Sequence, residues 1–235
     1  MIGAFTGFTQ PGLTFLQTLR QNNNKEWFDE NRDIYQEHLL DPMRKLVEDL
    51  SQDMVVIDDL FETRPAIGKT ISRMHRDTRF SHDKSIYRCN LWLTFKRSRK
   101  NWTDAPVYFF EFGQDWWRYG LGYYSASKTT MDLFRQQLLK KPAEFLKMAK
   151  CIEPNFTIEG DSYKRPLIKD QDPALAAWYN KKSFALISSH RDMEPVLSSE
   201  LVGILRADFL RIAPLYQMLM GIEGMKRNQL PLGEE

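Results

Sequence analysis

The sequence predicts an α+β fold in which an antiparallel sheet of about four to six strands has helices before and after it in the chain. Apolar residues recur at helical spacing up to about residue 55, alternate with polar residues between about 66 and 125, and return to helical spacing after Ser125. Helices followed by a run of strands and then by helices are typical of α+β folds rather than of wound βαβ folds.

The chain is expected to form a single domain over residues 1–235. Its composition, 42% hydrophobic and 13% aromatic, provides enough apolar surface for a sizeable core. No linker, internal repeat or low-complexity tract divides it. The composition also excludes a disordered or fibrous chain.

The first 55 residues are predicted to form helices. An apolar stripe begins at Leu13, and the sequence NNN at 22–24 ends it and offers Asn24 as the N-cap of the next helix. Apolar residues continue at helical spacing up to the pair Asp41 and Pro42. Because aspartate is a common N-cap and proline fits the first helical turn, this pair predicts that a new helix starts here.

Four segments of alternating or continuous apolar residues are predicted to form an antiparallel meander. Glu111 is the polar exception within the central segment VYFFEF. The link GQD before the last segment has the length of a hairpin connection. The predicted strands are residues 66–76, 87–96, 107–112 and 116–124.

Helix-starting signals return after Ser125, and Pro214 predicts a kink inside the last helical pattern. The predicted elements are a helix at 127–139 capped by Ser127, helices beginning at Pro142 and at Asp172-Pro173, a short strand at 183–188 and a long final helix from about Leu201.

Cysteine usage and the absence of targeting signals predict the compartment. Cys89 and Cys151 are far apart in sequence and form no CxxC pair, which argues against a disulfide framework or a cysteine-rich zinc site. The N-terminus lacks the basic and apolar regions of a secretion signal, and no stretch approaches the roughly 18 apolar residues of a membrane span. We therefore expect a cytoplasmic protein with no membrane partner.

Charge is segregated along the chain although the formal net charge is only +2. Residues 24–62 contain four Lys and Arg against twelve Asp and Glu, whereas residues 64–100 contain eleven Lys and Arg against Asp77 and Asp83 alone. The basic block is either a site for a polyanion or a segment that docks on the acidic one. Docking is slightly favoured, because opposite charges within one domain usually neutralise each other.

The sequence RMHRDTRFSHDKSIYR at 73–88 is the strongest candidate for a binding site. The planar guanidinium group binds phosphate or carboxylate through two parallel donors and keeps its charge at all relevant pH values. The alternative is structural, with each aspartate paired to a neighbouring arginine and the remaining cations facing the acidic helices. The candidate anion ligands are Arg73, Arg76, Arg79, Lys84 and Arg88, which SYKRP at 162–166 and NKKS at 180–183 would complete if the fold brings them close.

Three carboxylates are weak candidates for catalytic acids or bases. Asp77 and Asp83 lie within the arginine-rich loop, where they would either orient the arginines or transfer protons. Glu111 lies on a predicted strand. On the neighbouring predicted strand, Gly120 and Gly122 have no side chains, which leaves a gap on one face. This gap predicts either a pocket floor with one buried carboxylate or a close approach by a helix, with Glu111 paired to an arginine.

The sequence offers little support for a metal ion, a cofactor or a covalent nucleophile. His75, Asp77, His82 and Asp83 do not follow a standard ligand spacing, and five nearby cations oppose a divalent ion. Neither GxGxxG, GxxxxGK[ST] nor GxSxG occurs. We therefore expect no metal and no cofactor.

A basic hairpin tip is the feature that would suit nucleic acid. KRSRK at 96–100 is followed by Trp102, and cations beside an aromatic ring are used by single-strand binders. Basic tips also protect exposed sheet edges, and no known nucleic-acid motif accompanies this one.

Five segments occur in a specific order: FTGF near the start, NNNKEWF at 22–28, RDTRFSHDKSIYR at 76–88, GLGYY at 120–124 and YKRP at 163–166. In this order they resemble the domain of unknown function 2461 family, from about residue 5 to 220. The resemblance implies a single α+β domain of about this length and carries no activity, cofactor or catalytic residue to this chain. Ile86 stands where the family's DKxPY pattern has proline.

These observations favour binding of a small phosphate- or carboxylate-bearing ligand by the loop at 73–88. Whether such a protein is also an enzyme stays open. The alternative is a non-catalytic interaction module whose basic block at 64–100 meets nucleic acid or an acidic partner.

Overall fold

The structure is a computed structural model that describes residues 3–79, 82–98 and 101–229. The helices are α1 (Gln10–Gln21), α2 (Lys25–Glu30), α3 (Arg32–Tyr35), α4 (Asp41–Ile57), α5 (Lys128–Lys140), α6 (Pro142–Ile152), α7 (Pro173–Tyr179), α8 (Glu200–Arg211) and α9 (Ala213–Gln229), with a π-helical turn at Gln36–Leu40 and a 3₁₀ turn at Trp102–Asp104. The strands are β1 (Leu91–Phe95), β2 (Pro106–Phe112), β3 (Trp117–Tyr123), β4 (Thr157–Glu159) and β5 (Ala185–His190). Within these ranges, no helix combines the length and the apolar character needed to cross a membrane.

The strands form one antiparallel sheet of five strands in the order β1-β2-β3-β5-β4. The first three are neighbours in the chain, as the predicted meander requires. β5 lies beside β3 and pairs on its other side with β4, where Ile158 is opposite Leu186. With helices before and after the sheet, the α+β prediction is confirmed.

The prediction of a strand at 66–76 is wrong. This segment forms single bridges, such as that between Ile71 and Leu93, instead of a continuous ladder. Gly68, whose φ is 78°, turns the backbone before a ladder can form, and an alternating sequence pattern does not reveal such a turn. Conversely, β4 is missed by the sequence analysis, because three residues are too few to establish alternation.

The predicted helix start at Asp41 is the first residue of α4, with Pro42 in its first turn, but Asp41 does not act as the N-cap, because the chain enters α4 from α3 through the π-helical turn Gln36–Leu40. Proline has no N–H to donate to the carbonyl four residues earlier, so Pro42 disturbs the α-helical bonding pattern. The π-helical turn, which is wider than an α-helical turn, accommodates the missing hydrogen bond inside a long helical segment. A Cβ at Gly12 would lie 2.7 Å from the carbonyl oxygen of His38, so glycine lets α1 pack directly on this turn.

Other helix boundaries follow the predicted signals. The side chains of Asn24, Ser127 and Asp172 accept hydrogen bonds from the first turns of α2, α5 and α7. At Pro214, the predicted kink is a complete break between α8 and α9, and the proline lies in the first turn of α9.

The described residues group into two compact units. The first comprises those within 1–98, 109–119 and 189–208. In its core, Phe8 packs against Phe5, Phe110 and Phe112 with ring centroids 5.3, 6.4 and 4.3 Å apart. These contacts fix the chain before α1 against the second half of β2, which carries Glu111.

The second unit comprises the described residues within 99–108, 120–188 and 209–235. Phe184 packs against Phe134 and Trp178 at 4.9 and 5.5 Å. The buried guanidinium group of Arg135 donates to the carbonyl of Tyr179 at 2.9 Å. Arg135 is therefore a structural cation that ties α5 to the end of α7.

The glycine gap on β3 belongs to this second unit and is filled by a strand. A Cβ at Gly120 would lie 1.8 Å from the carbonyl oxygen of Leu186, and one at Gly122 would lie 2.4 Å from the Cα of Ala185. The two glycines let the backbone of β5 approach closely. They form neither the pocket floor nor the helix contact that the sequence suggested.

Candidate functional site

Two of the segments that carry the family resemblance are in direct contact within the first unit. The side chain of Asn23 accepts from the N–H of Tyr87 at 2.8 Å and donates to the carbonyl of the same residue at 2.9 Å. The rings of Phe28 and Tyr87 stack with centroids 4.2 Å apart and planes 11° from parallel. The end of the arginine-rich loop is thereby fixed to the start of α2.

A concavity of about 490 Å³ opens beside this contact, and we call it the arginine pocket. Every residue that lines it belongs to the first unit. It contains more guanidinium groups than carboxylates, and this excess makes it attractive to anions. Its charged lining residues are Arg20, Arg76, Asp83, Arg88, Glu111 and Arg118.

Asp83 binds and orients Arg76 at one wall of the arginine pocket. The guanidinium group of Arg76 donates to Oδ2 of Asp83, and the other carboxylate oxygen accepts from the hydroxyl of Ser85 at 2.6 Å. The hydrogen bonds from Ser85 and Arg76 hold the pKa of Asp83 well below its usual range. Asp83 is thus a poor general base near neutral pH, and its position suits an orienting role.

Glu111 has an equivalent role at another wall. Its Oε2 accepts from Nε and Nη2 of Arg118 at 2.7 and 2.6 Å, and its Oε1 accepts from the amide of Asn90. The side chain is 13% exposed, so the carboxylate is largely withdrawn from solvent. The sequence offers an ion pair between Glu111 and an arginine as one of two alternatives, and the structure identifies the partner as Arg118.

Aromatic rings support two of the guanidinium groups. Cζ of Arg88 lies 4.5 Å from the ring centroid of Trp92, and Cζ of Arg118 lies 5.5 Å from that of Trp116. Both distances are within the range of cation–π attraction. The rings restrict the arginine side chains without removing their charge.

The other predicted ligands lie outside the arginine pocket. Arg79 donates to both carboxylate oxygens of Asp77, and this lowers the pKa of Asp77 to about 2. Nζ of Lys84 donates to the carbonyl of Thr78 at 3.0 Å. Arg73 is exposed and lies over Gly68. Phe80 and Ser81 of the same loop lie outside the described residues.

Two carboxylates of the acidic segment at 24–62 pair with arginines that lie outside the loop at 73–88. Asp58 pairs with Arg97 at 2.7 Å, and Glu62 pairs with Arg64 at 2.5 Å. These two pairs do join the acidic and basic blocks. Within the hairpin tip at 96–100, residues 99 and 100 lie outside the described ranges.

The cations of SYKRP and NKKS belong to the second unit. Lys164 and Lys181 line a separate concavity of about 370 Å³ together with Tyr163 and Asn180. Nζ of Lys181 donates to the carbonyl of Gly160 at 2.7 Å, which gives it a role in its own unit. The arginine pocket is lined without these residues.

Cys89 lines the arginine pocket but is not activated as a nucleophile. Burial raises the pKa of its thiol, so the thiolate is disfavoured near neutral pH. Among the described residues, no group of three or more His, Cys, Asp or Glu is placed to hold a metal ion. His75 instead packs edge-on against the ring of Tyr87 at 5.8 Å.

A second concavity of about 420 Å³ adjoins the arginine pocket, and we call it the tryptophan recess. Trp116 and Arg118 line both. Inside the recess, the imidazole of His190 stacks on Trp117 with centroids 4.1 Å apart. Burial lowers the pKa of His190, although Asp208 and Asp192 oppose this shift.

Several lining residues are missed by the sequence analysis. Arg20 lies on the polar side of α1, and Asn23 appears in the sequence only as part of a helix-breaking NNN. Trp116 and Arg118 follow a hairpin link and resemble ordinary strand residues. Their combination depends on the tertiary contact between Asn23 and Tyr87, which no local pattern encodes.

The chain matches a known protein family over most of its length. The family described as conserved hypothetical protein (DUF2461) matches residues 12–218, which is most of the chain. A comparison with curated proteins finds no match.

Proposed function

Because the chain belongs to the DUF2461 family of conserved hypothetical proteins, its function has to be inferred from its own residues, and we propose that the arginine pocket binds a small anionic ligand. The ligand class is a phosphate- or carboxylate-bearing metabolite. The observation that carries the proposal is the excess of guanidinium groups over carboxylates in one concavity.

The distribution of partners within the arginine pocket supports this proposal. Both of its carboxylates are already bonded, Asp83 to Arg76 and Glu111 to Arg118. Arg20 and Arg88 add two further positive charges to the same lining. An incoming anion would neutralise this surplus and would accept bonds from guanidinium groups that are already oriented.

Size and chemistry favour a small ligand over a polymer. A volume of about 490 Å³ is within the range of small-molecule sites. The carboxylate of Asp83, with its lowered pKa, favours binding over proton transfer as the role of this loop. We also propose a cytoplasmic location, since both Cys89 and Cys151 are free thiols.

The test measures binding of inorganic phosphate, and of citrate as a carboxylate probe, by isothermal titration calorimetry. Arg20→Gln and Arg76→Gln should each weaken binding of at least one probe about tenfold or more, because a charge-assisted hydrogen bond contributes roughly 1.5–3 kcal/mol. Arg79→Gln is the matched control. It removes the same charge from the same loop, but Arg79 is exposed and lies outside the pocket.

The same measurements distinguish anion binding in the arginine pocket from anion binding by the basic surface in general. If Arg79→Gln weakens binding as much as Arg76→Gln, the anion is attracted by the whole basic block at 64–100. That outcome would support an interaction module for nucleic acid or an acidic partner, with affinity that falls steeply between about 50 and 200 mM salt. If no variant changes the affinity, the proposed site is wrong.

A further inference from the structure

The arginine pocket and the tryptophan recess share a wall formed by Trp116 and Arg118. Their other lining residues differ in character. The pocket is dominated by guanidinium groups, whereas the recess contains the aromatic side chains of Trp116, Trp117 and His190. A ligand that extends from one to the other would meet cations at one end and ring systems at the other.

The indole of Trp116, in the shared wall, has a defined position. The N–H of Gly113 donates to the carbonyl of Trp116 at 2.9 Å, which closes the turn between β2 and β3. A Cβ at Gly113 would lie 2.5 Å from Nε1 of Trp116, so the indole lies directly on this glycine. Trp116 is only half-buried, and this leaves part of the ring available to a ligand.

The other aromatic rings of the recess are held in place by stacking. The rings of Trp117 and His190 lie 18° from parallel, and the buried Tyr119, outside the recess lining, lies 2° from parallel to His190. The N–H of the Trp117 indole is bonded to the carbonyl of Asp192 at 2.6 Å, which fixes this stack. Arg191 at the edge adds a further cation.

Resting on the proposed function, we infer that the anionic ligand carries a planar ring, which lies against Trp116 while its phosphate or carboxylate lies in the arginine pocket. A nucleoside monophosphate and a simple aryl phosphate both have this chemistry. Stacking on an aromatic side chain strengthens binding without a demand for a particular ring.

The experiment compares probes that differ only in the ring. Adenosine 5′-monophosphate is measured against ribose 5-phosphate, and phenyl phosphate is measured against inorganic phosphate, by calorimetry on the full chain. The ring-bearing member of at least one pair should bind tenfold or more tightly, which is within the effect expected of one stacked ring, about 5- to 150-fold. The pair that shows the difference identifies a nucleobase or a simple aryl ring.

Variants then locate the ring. Trp116→Ala should reduce the ratio of the two affinities within the pair to less than about twofold. Because Trp116 also contacts Arg118, this ratio is the readout, and an unchanged melting temperature shows that the variant is folded. Trp116→Phe keeps an aromatic face and should retain most of the difference.

Two outcomes would overturn the inference and leave the proposed function intact. One is equal affinity within both pairs, with the ring-free probes still weakened by Arg76→Gln. The other is a ring effect that survives in Trp116→Ala. If instead Arg76→Gln alters the affinity for none of the four probes, the proposed function itself fails, and the inference fails with it.

Discussion

The side-chain amide of Asn23 pairs with both backbone polar groups of Tyr87, accepting from the N–H at 2.8 Å and donating to the carbonyl at 2.9 Å. One side chain thus makes the two hydrogen bonds that a neighbouring strand would make to the backbone of Tyr87, where the arginine-rich loop ends. The same amide lies 3.9 Å from the sulfur of Cys89. Because Tyr87 and Cys89 line the arginine pocket, this contact connects the stability of the fold to the shape of the site.

Replacement of Asn23 by alanine should destabilise the protein by about 2–3 kcal/mol. Two backbone groups of partly buried Tyr87 lose their partners, and each lost bond costs on the order of 1 kcal/mol or more. Asn24→Ala is the neighbouring control and should cost about 1 kcal/mol, because Asn24 only caps α2. Urea denaturation measures both values. Equal costs for the two variants would show that the Asn23 contact is not a main determinant of stability.

Glycine substitutions on β3 and α8 should have opposite effects. Gly120→Ala places a Cβ against the backbone of β5, so we expect a loss of about 3 kcal/mol or more, or failure to fold. Gly203 lies in α8 with no heavy atom within 4 Å of an added Cβ. Gly203→Ala should therefore stabilise the protein by about 0.5–1 kcal/mol, since alanine is the better helix former. Thermal melting distinguishes the two, and an unaffected Gly120→Ala would contradict the close approach of β5.

Local chemistry explains which parts of the fold the sequence predicts. Asn24, Ser127 and Asp172 act on N–H groups two or three residues away, so their cap roles follow from neighbouring positions alone. At Asp41 the predicted helix start is confirmed but the predicted cap is wrong, because the π-helical turn leaves Leu40, the residue before α4, in a helical conformation.

Only some residues of the arginine pocket can be predicted from the sequence, because the others depend on tertiary contacts. Arg76, Arg88 and Glu111 are identified by charge density and by one polar residue in an apolar strand. Sequence proximity, however, does not separate Arg76 from Arg79, because both pair with an aspartate of their own loop. Only the tertiary structure places the first inside the pocket and the second in solvent.

Stability should depend on the protonation of His190. Burial lowers its pKa below the ordinary value of 6.5, so the unfolded chain binds the proton more readily than the native protein. The contribution of neutral His190 to the free energy of unfolding should therefore be complete above about pH 6.5, and it should be lost as the pH falls below that value.

The variant His190→Gln isolates this effect because glutamine does not titrate. Denaturant titration at each pH measures the free energy of unfolding of wild type and variant. Between pH 7.5 and 5, the wild type should lose more of this free energy than the variant. A difference that stays constant with pH would show that His190 titrates alike in both states.

Replacement of Glu111 by glutamine should strengthen anion binding in the arginine pocket. Glutamine can still accept a hydrogen bond from Arg118, but the substitution removes one of the two negative charges in the lining. Loss of a like charge at a separation of a few ångströms should raise the affinity for inorganic phosphate about three- to tenfold. The matched control is Asp77→Asn, which removes a carboxylate of the arginine-rich loop that lies outside the pocket and should alter the affinity less than about twofold, because an exposed charge is screened. A weaker phosphate affinity in Glu111→Gln, with an unchanged melting temperature, would contradict this expectation and would mean that the carboxylate helps binding by orienting Arg118 more than its charge opposes it.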